Sequence, residues 1–511
     1  MAAPGRAMDA PLPLEPALLD RWLARPVPAL WARWIFLRAL GVLFLSAFVS
    51  LAPSIHGLIG PHGIRPATEL LTLLAGHLGP VKRIWAAPSF LWFGAGDGAL
   101  TTLVVVGSAA SLSLVFNVAP RAALVACELA FLSFVAVGQE FAMYQSDGML
   151  LEAGFVSFFF APRGLRPRLG PASPPTALPL FLLRWESFRI YFESGLGKVM
   201  SHDPQWAHLT AMDRYYENGP LPTWIAWYAQ QLPHWVHAAT CILMFVMELG
   251  VPFLAWLGSR ARRVCFAIVT PFQIGIILTA NYAFLNYLVL SLGVLLLDDS
   301  HFARFRWKTP PIPTVTTPRW RVYAAAVPLG LVLYVTVLSG LGVPRDTLLG
   351  YPVELLETVR IANSYGLFAR MTEARYELEF QGSKDGVTWV PYPYRYKPQA
   401  VNEHPGLYAP LQPRFDWNLW FVPNIEGDSE WILDTELRLL QGEAPVLALF
   451  RDDPFHGELP KEVRIVEWQY WFTTWAERKQ TGAWWRRKWM GVYAPAVGRG
   501  DDGRLQILRG E

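Results

Sequence analysis

Cysteine and charge are both scarce in this chain. Three cysteines, Cys127, Cys241 and Cys265, occur in 511 residues, all inside apolar runs. A disulfide framework is therefore not expected, and no cysteine pair has metal-ligand spacing. Charged residues make up 17% of the chain, against about 25% in soluble globular proteins. No N-x-Ser/Thr sequon occurs, so nothing suggests N-glycosylation. The chain also has no H-E-x-x-H, no P-loop and no G-x-S-x-G turn, the motifs of zinc peptidases, nucleotide-binding enzymes and serine hydrolases. The "GAGDG" at 94–98 lacks the strand-to-helix setting of a dinucleotide site and reads as a flexible loop. The net charge of +3 is too small to argue for nucleic acid. No metal or cofactor is indicated.

Apolar residues and tryptophan are abundant. The hydrophobic fraction is 53% with 23 Trp, and the mean hydropathy is +0.25. These totals describe an integral membrane protein with an added polar part. The first 30 residues are rich in Pro and Ala and lack the basic-then-apolar pattern of a cleaved signal peptide. The first apolar run, "WIFLRALGVLFLSAFVSLA", reads as an uncleaved anchor.

A span needs about 20 mainly apolar residues. Candidates lie near 32–53, 98–118, 121–144, 147–161, 177–199, 234–258, 264–280, 282–298 and 321–342. The fourth is short enough to be re-entrant, so eight or nine spans are expected. Basic clusters set their orientation. Arg21, Arg25 and Arg33 precede the first span, and Arg121 lies between the second and third. Arg163, Arg166 and Arg168 follow the fourth; Arg260, Arg262 and Arg263 follow the sixth; Arg304, Arg306 and Lys308 follow the eighth. All fall on one side if nine segments cross, and that side should be cytoplasmic. Lys82 and Arg83 are the exception. The expected division is a cytoplasmic tail over 1–30, a multi-span domain over 31–342 and an extramembrane domain over 343–511. The last would face the periplasm of a bacterium, whose inner membrane would hold the chain, or the endoplasmic reticulum lumen of a eukaryote.

The C-terminal third reads as a mostly β domain. "ARYELEFQGSKDGVTWVPY" alternates, with Tyr376, Leu378 and Phe380 on one face and Arg375, Glu377 and Glu379 on the other. Lys384-Asp385-Gly386 supplies the turn of a hairpin. "KEVRIVEWQYWF" reads as another strand and "WILDTELRLLQGE" as a helix. The aromatics here are either core or a partner surface.

The segment "RWESFRIYFESGLGKVMSHDPQW" sets ionisable groups inside a predicted span. Glu186, Arg189 and Glu193 are spaced three and then four apart, so they share one helix face. An unpaired charge in lipid is costly, so this stripe should face the bundle and pair there, with Glu128, Glu140, Glu152 and Glu248 as possible partners. Such a stripe either locks helices together or builds a site. Lys198 lies on another face beside Gly195 and Gly197. It either snorkels to the interface or is a desolvated lysine able to act as a catalytic base. The loop that follows is dense in Trp, Tyr and His. Trp206, Trp224, Trp227 and Trp235 read as an interfacial aromatic belt.

Two blocks carry a family resemblance. The first is "YFESGLGKVMSHDPQWAHLTAMDRYYENGPLPTWIAWYAQQLPHW"; the second is "IANSYGLFARMTEARYELEFQGSKDGVTWVPYPYRYKP" followed by "APLQPRFDWNLWF". Together they resemble the lipase maturation factor family, with its G-x-x-K helix end, D-P-x-W, N-x-Y-G-L-F-x-x-M-T and R-x-D-W-x-x-W-F. The resemblance implies a membrane-bound maturation factor or chaperone for exported clients, lipases among them. Its C-terminal domain would contact the clients, and Trp206, Trp224, Trp389, Trp417 and Trp420 are the candidate contacts. In eukaryotic members that domain faces the endoplasmic reticulum lumen. The Ala/Arg/Pro-rich composition here is closer to that of bacterial proteins. The "YFxxGxxK" run is also similar to vitamin K-dependent γ-carboxylase, whose matching lysine is the proposed base toward the vitamin hydroquinone. That likeness implies an alternative, an enzyme acting on a quinol or lipid with Lys198 as base.

Overall fold

The computed structural model describes residues 22–313, 318–424, 430–499 and 505–508. Most of the tail expected over 1–30, including Arg21, lies outside the described residues, as do 314–317 of the second proline-rich link. Nine helices match the nine apolar candidates. They are α1 (Leu30–Leu51), α2 (Asp97–Val115), α3 (Pro120–Val135), α4 (Gln145–Phe160), α5 (Ala177–Met200), α6 (His234–Phe245), α7 (Ser259–Thr279), α8 (Leu285–Val294) and α9 (Arg319–Gly340). Five helical stretches are long and apolar enough to cross a membrane: α1, α2, α6 with its continuation to Trp256, α7 and α9. Helices α3, α4 and α8 are shorter, and α5 carries too many charges to qualify on composition.

Two ends of the bundle are chemically distinct. At one end the Arg33 guanidinium donates to the carbonyls of Leu169 and Ser173, both at 2.7 Å, and Arg121 Nε to Ala161 O at 2.9 Å. Arg184 Nε reaches Leu295 O at 2.8 Å, and Asp299 accepts the Leu30 and Trp31 amides. Arginines thus tie the helix ends and the 161–176 loop together by satisfying carbonyls that no helix can pair. At the other end the bundle meets the C-terminal part. Ser46 Oγ donates to Pro410 O at 2.7 Å and Ser50 Oγ accepts Gln412 N at 2.9 Å. Arg414 forks onto Asp147 at the start of α4, at 2.7 and 2.9 Å.

The C-terminal part holds one antiparallel sheet in the order β2-β1-β3-β4-β5, from Trp389–Pro391, Arg375–Ser383, Glu462–Phe472, Trp485–Arg499 and Leu505–Ile507. The expected hairpin and third strand are present, and Glu430–Gln441 is the expected helix. The hairpin turn needs Gly386, whose φ is +77°, and Asp385 Oδ1 accepts the amides of Val387 and Thr388. Helices Arg414–Leu419, Ala444–Leu447 and Trp475–Thr481 also belong to this part, so it is α+β and not mostly β.

One side of β1 departs from the alternation. Leu378 and Phe380 are core, as expected, yet Arg375, Glu377 and Glu379 are buried as well. The α5–α6 loop covers that face. Arg375 donates to Glu217 O and Pro220 O at 2.9 and 3.0 Å, and Glu377 pairs with both Arg375 and Lys397. A strand coated on both faces can hide charges only where they are paired, which the alternating pattern alone does not reveal.

Candidate functional site

Helix α5 runs from the arginine-tied end to the C-terminal part, and its polar stripe points inward. Arg189 is 1% exposed. It ion-pairs with Glu152 of α4, donates to Asn363 O and lies 4.9 Å from the Tyr365 ring. Glu152 also accepts the Asn363 amide at 3.0 Å and the Tyr365 hydroxyl at 2.9 Å. Glu193 accepts the Tyr365 amide at 2.7 Å. The stripe thus receives a loop from the C-terminal part, residues 361–372, that no span supplies. Further along, Ser194 Oγ accepts Leu367 N, Trp206 Nε1 donates to Phe368 O at 3.1 Å, and Asp203 accepts Met371 N at 2.7 Å. A buried loop needs partners for its backbone groups, and these side chains provide them.

Lys198 sits at the end of this track. It is 2% exposed. Its ammonium donates to both carboxylate oxygens of Glu248 at 2.9 Å and to Leu367 O at 3.0 Å, and the Trp206 ring lies 5.3 Å away. It does not snorkel. Local sequence explains the meeting. Pro252 has no N–H to continue α6, and the chain passes through a π turn at Val246–Gly250 that presents Glu248. A Cβ on Gly195 would stand 2.8 Å from Glu248 Cβ, so only glycine lets the two helices come this close.

Beside the pair lies a cavity of about 60 Å³, lined by Tyr191, Tyr215, Gln273, Tyr282 and Asn286 among others. That is room for a few water molecules, not for a quinol. The donors of Lys198 are engaged by Glu248 and Leu367, and the arrangement lends no support to the quinol reading.

Glu186 behaves differently from its neighbours in the stripe. It is fully buried, and neither carboxylate oxygen has a hydrogen-bond partner among the described residues. Of the partners expected from sequence, Glu152 and Glu248 take Arg189 and Lys198, whereas Glu140 pairs with Arg65 at 3.0 Å. Glu128 packs against Gly154.

The candidate contact tryptophans divide. Trp206 and Trp417 are buried in an aromatic cluster with Tyr144, Tyr215 and Tyr282, so as folded they present no surface. Trp420 is half-buried and donates to Asn218 O at 2.8 Å; Trp389 is half-buried under Arg464. Trp224 is exposed. The expected belt is also split, because Trp227 is buried against Tyr470, Phe472 and Trp485, whereas Trp235 is exposed. The α5–α6 loop therefore lies on the sheet and the bundle end, and most of its aromatics are needed there. Among the described residues no group of His, Cys, Asp and Glu could hold a metal ion, and all three cysteines are free and buried.

Comparison with known proteins puts a name to the two blocks that meet at α5. The model of the lipase maturation factor transmembrane domain matches residues 31–304, and that of the lipase maturation factor C-terminal domain matches 361–495. The chain belongs to the lipase maturation factor family. Lipase maturation factor 2 of Homo sapiens is 31% identical, over 93% of this chain and 84% of its own length. Lipase maturation factor 1 of Bos taurus is 30% identical, over 98% and 93%. No solved structure matches the chain. Both motif sets of this lipase maturation factor family member thus serve one contact. The G-x-x-K end of α5 and the D-P-x-W turn hold the N-x-Y-G-L-F loop. The sequence missed this pairing because the blocks lie about 170 residues apart, as Lys198 and Leu367 do.

Proposed function

We propose that this protein is a membrane-anchored maturation factor that holds exported clients, lipases among them, while they fold. Its relatives' names support the lipase assignment. In this reading all nine helices cross the bilayer, the arginine-tied end faces the cytosol, and residues 343–511 lie outside, in the periplasm or the endoplasmic reticulum lumen. The location of the C-terminal part opposite the arginines supports that orientation.

One observation carries the client-holding role. Strand β4 pairs with β3 along its length, but β5 covers only Val497–Arg499. Among the described residues, 486–495 of β4 form an open edge, which exposes Trp489, Met490 and Val492 beside Arg486, Arg487 and Lys488. An open edge offers backbone donors and acceptors to an extended segment of another chain, and the apolar side chains add affinity. Trp224 and Trp475 extend the apolar surface nearby. Trp206 and Trp417 leave the contact set, and Trp224, Trp389 and Trp420 remain in it.

The test is secretion of active lipase by cells carrying a Val492→Pro variant, which blocks the edge, with Trp489→Lys as a second variant. Both should lower active lipase several-fold while the protein stays in the membrane at normal abundance. Unchanged lipase activity in both variants and in a deletion strain would refute the proposal.

A further inference from the structure

A cavity lies far from the candidate site, at the arginine-tied end. It is a groove of about 730 Å³ between the ends of α3, α4, α5 and α9. Arg121, Arg163 and Arg321 line it, and no carboxylate does among the described residues. None of the three forms an ion pair with Asp or Glu among the described residues. Arg121 donates its Nε to Ala161 O, and its guanidinium carbon lies 5.5 Å from the Phe158 ring centre. Like charges lining one groove without a counter-charge are unfavourable unless an anion joins them.

Apart from Ser173 and Thr176, the rest of the lining is made of apolar residues. Phe158 and Phe159 of α4, Leu178 of α5 and Leu329 of α9 form its walls, and exposed Trp320 stands at its mouth. Helix α9 makes this space. Its buried residues are Leu329, Val332, Val335 and Thr336, so its first turns stand off the bundle. Helices α3, α5 and α9 all begin at this end, and their N-terminal dipoles add positive potential.

The geometry points to a binding site for an anionic glycerophospholipid, with its phosphate on the three arginines and its acyl chains along the apolar walls. Charge complementarity selects the headgroup, and the apolar lining selects a lipid over a soluble anion. Trp320 marks the depth of the headgroup region. The site rests on the membrane reading of the bundle and not on client binding, so it stands or falls independently of the proposed lipase role.

Native mass spectrometry of the full chain tests this, after extraction from membranes holding equal phosphatidylglycerol and phosphatidylcholine. The wild type should retain phosphatidylglycerol selectively. Arg163→Gln with Arg321→Gln alters two exposed side chains and should weaken retention about thirtyfold, from about one lost electrostatic contact per arginine. Ala325→Trp fills the groove with all three arginines in place and should also release the lipid. Equal retention of both lipids by the wild type would overturn the site, as would unchanged retention in both variants. Soluble glycerol phosphate should give no thermal stabilisation. Stabilisation matching that by the lipid would replace the assignment with a phosphate site.

Discussion

Lys198 and Glu248, separated by 50 residues, form a buried ion pair with two 2.9 Å hydrogen bonds at the point where the bundle receives the C-terminal part. The pair stands between α5 and the π turn of α6, and its third partner is Leu367 O. It links the two matched domains, because Lys198 also donates to a carbonyl of the 361–372 loop.

Removing one partner leaves the other as an uncompensated buried charge. Lys198→Met is expected to destabilise the protein by about 3–5 kcal/mol, and Lys198→Met with Glu248→Leu by much less. Thermal unfolding in detergent checks this. If the single variant is as stable as the wild type, the pair has no structural role.

The loop is held by Tyr365 as well. Tyr365→Phe removes the hydroxyl from Glu152 and leaves a buried carboxylate oxygen with one partner fewer. A loss of about 1–3 kcal/mol is expected, with faster proteolysis between residues 361 and 372. Unchanged cleavage would show that the loop is fixed by other contacts.

The geometry at Gly195 makes a steric prediction. Gly195→Leu drives its side chain into Glu248 and Leu249. Helices α5 and α6 must part, and a cysteine pair engineered across them should cross-link more slowly in this background than in the wild type. Equal rates would contradict the close approach.

Glu436, in the C-terminal part, gives a pH signature. It is buried, neither oxygen has a hydrogen-bond partner among the described residues, and burial pushes its carboxyl from 4.5 up to about 9. A raised folded value means the native state keeps a proton that the unfolded chain has released. Stability is then fully present below pH 4.5 and falls as pH rises toward 9, by at most about 1.4 kcal/mol per pH unit. Glu436→Gln should flatten that slope and stabilise the protein at pH 8. Parallel stability curves for the two proteins would refute the assignment.

Much of the fold was legible in the chain. Apolar runs located the nine helices, five of them long and apolar enough to cross a membrane. Alternation and turn chemistry located β1, β2 and the Gly386 turn. The stripe on α5 was legible too, and so was the need to pair it. Partner assignment was not. Glu140, Glu152 and Glu248 looked equivalent in sequence, yet they took Arg65, Arg189 and Lys198. The inward turn of Arg375, Glu377 and Glu379 escaped notice for the same reason, since the α5–α6 loop that covers them is remote in sequence.

The chain by itself determined that a membrane bundle would carry charges inward on α5, because lipid forbids them elsewhere. Tertiary structure alone decided what those charges meet. A helix face fixes only direction, whereas hydrogen bonds to Asn363, Tyr365 and Leu367 require a distant loop to dock within about 3 Å. That docking places Lys198 where the two matched segments meet.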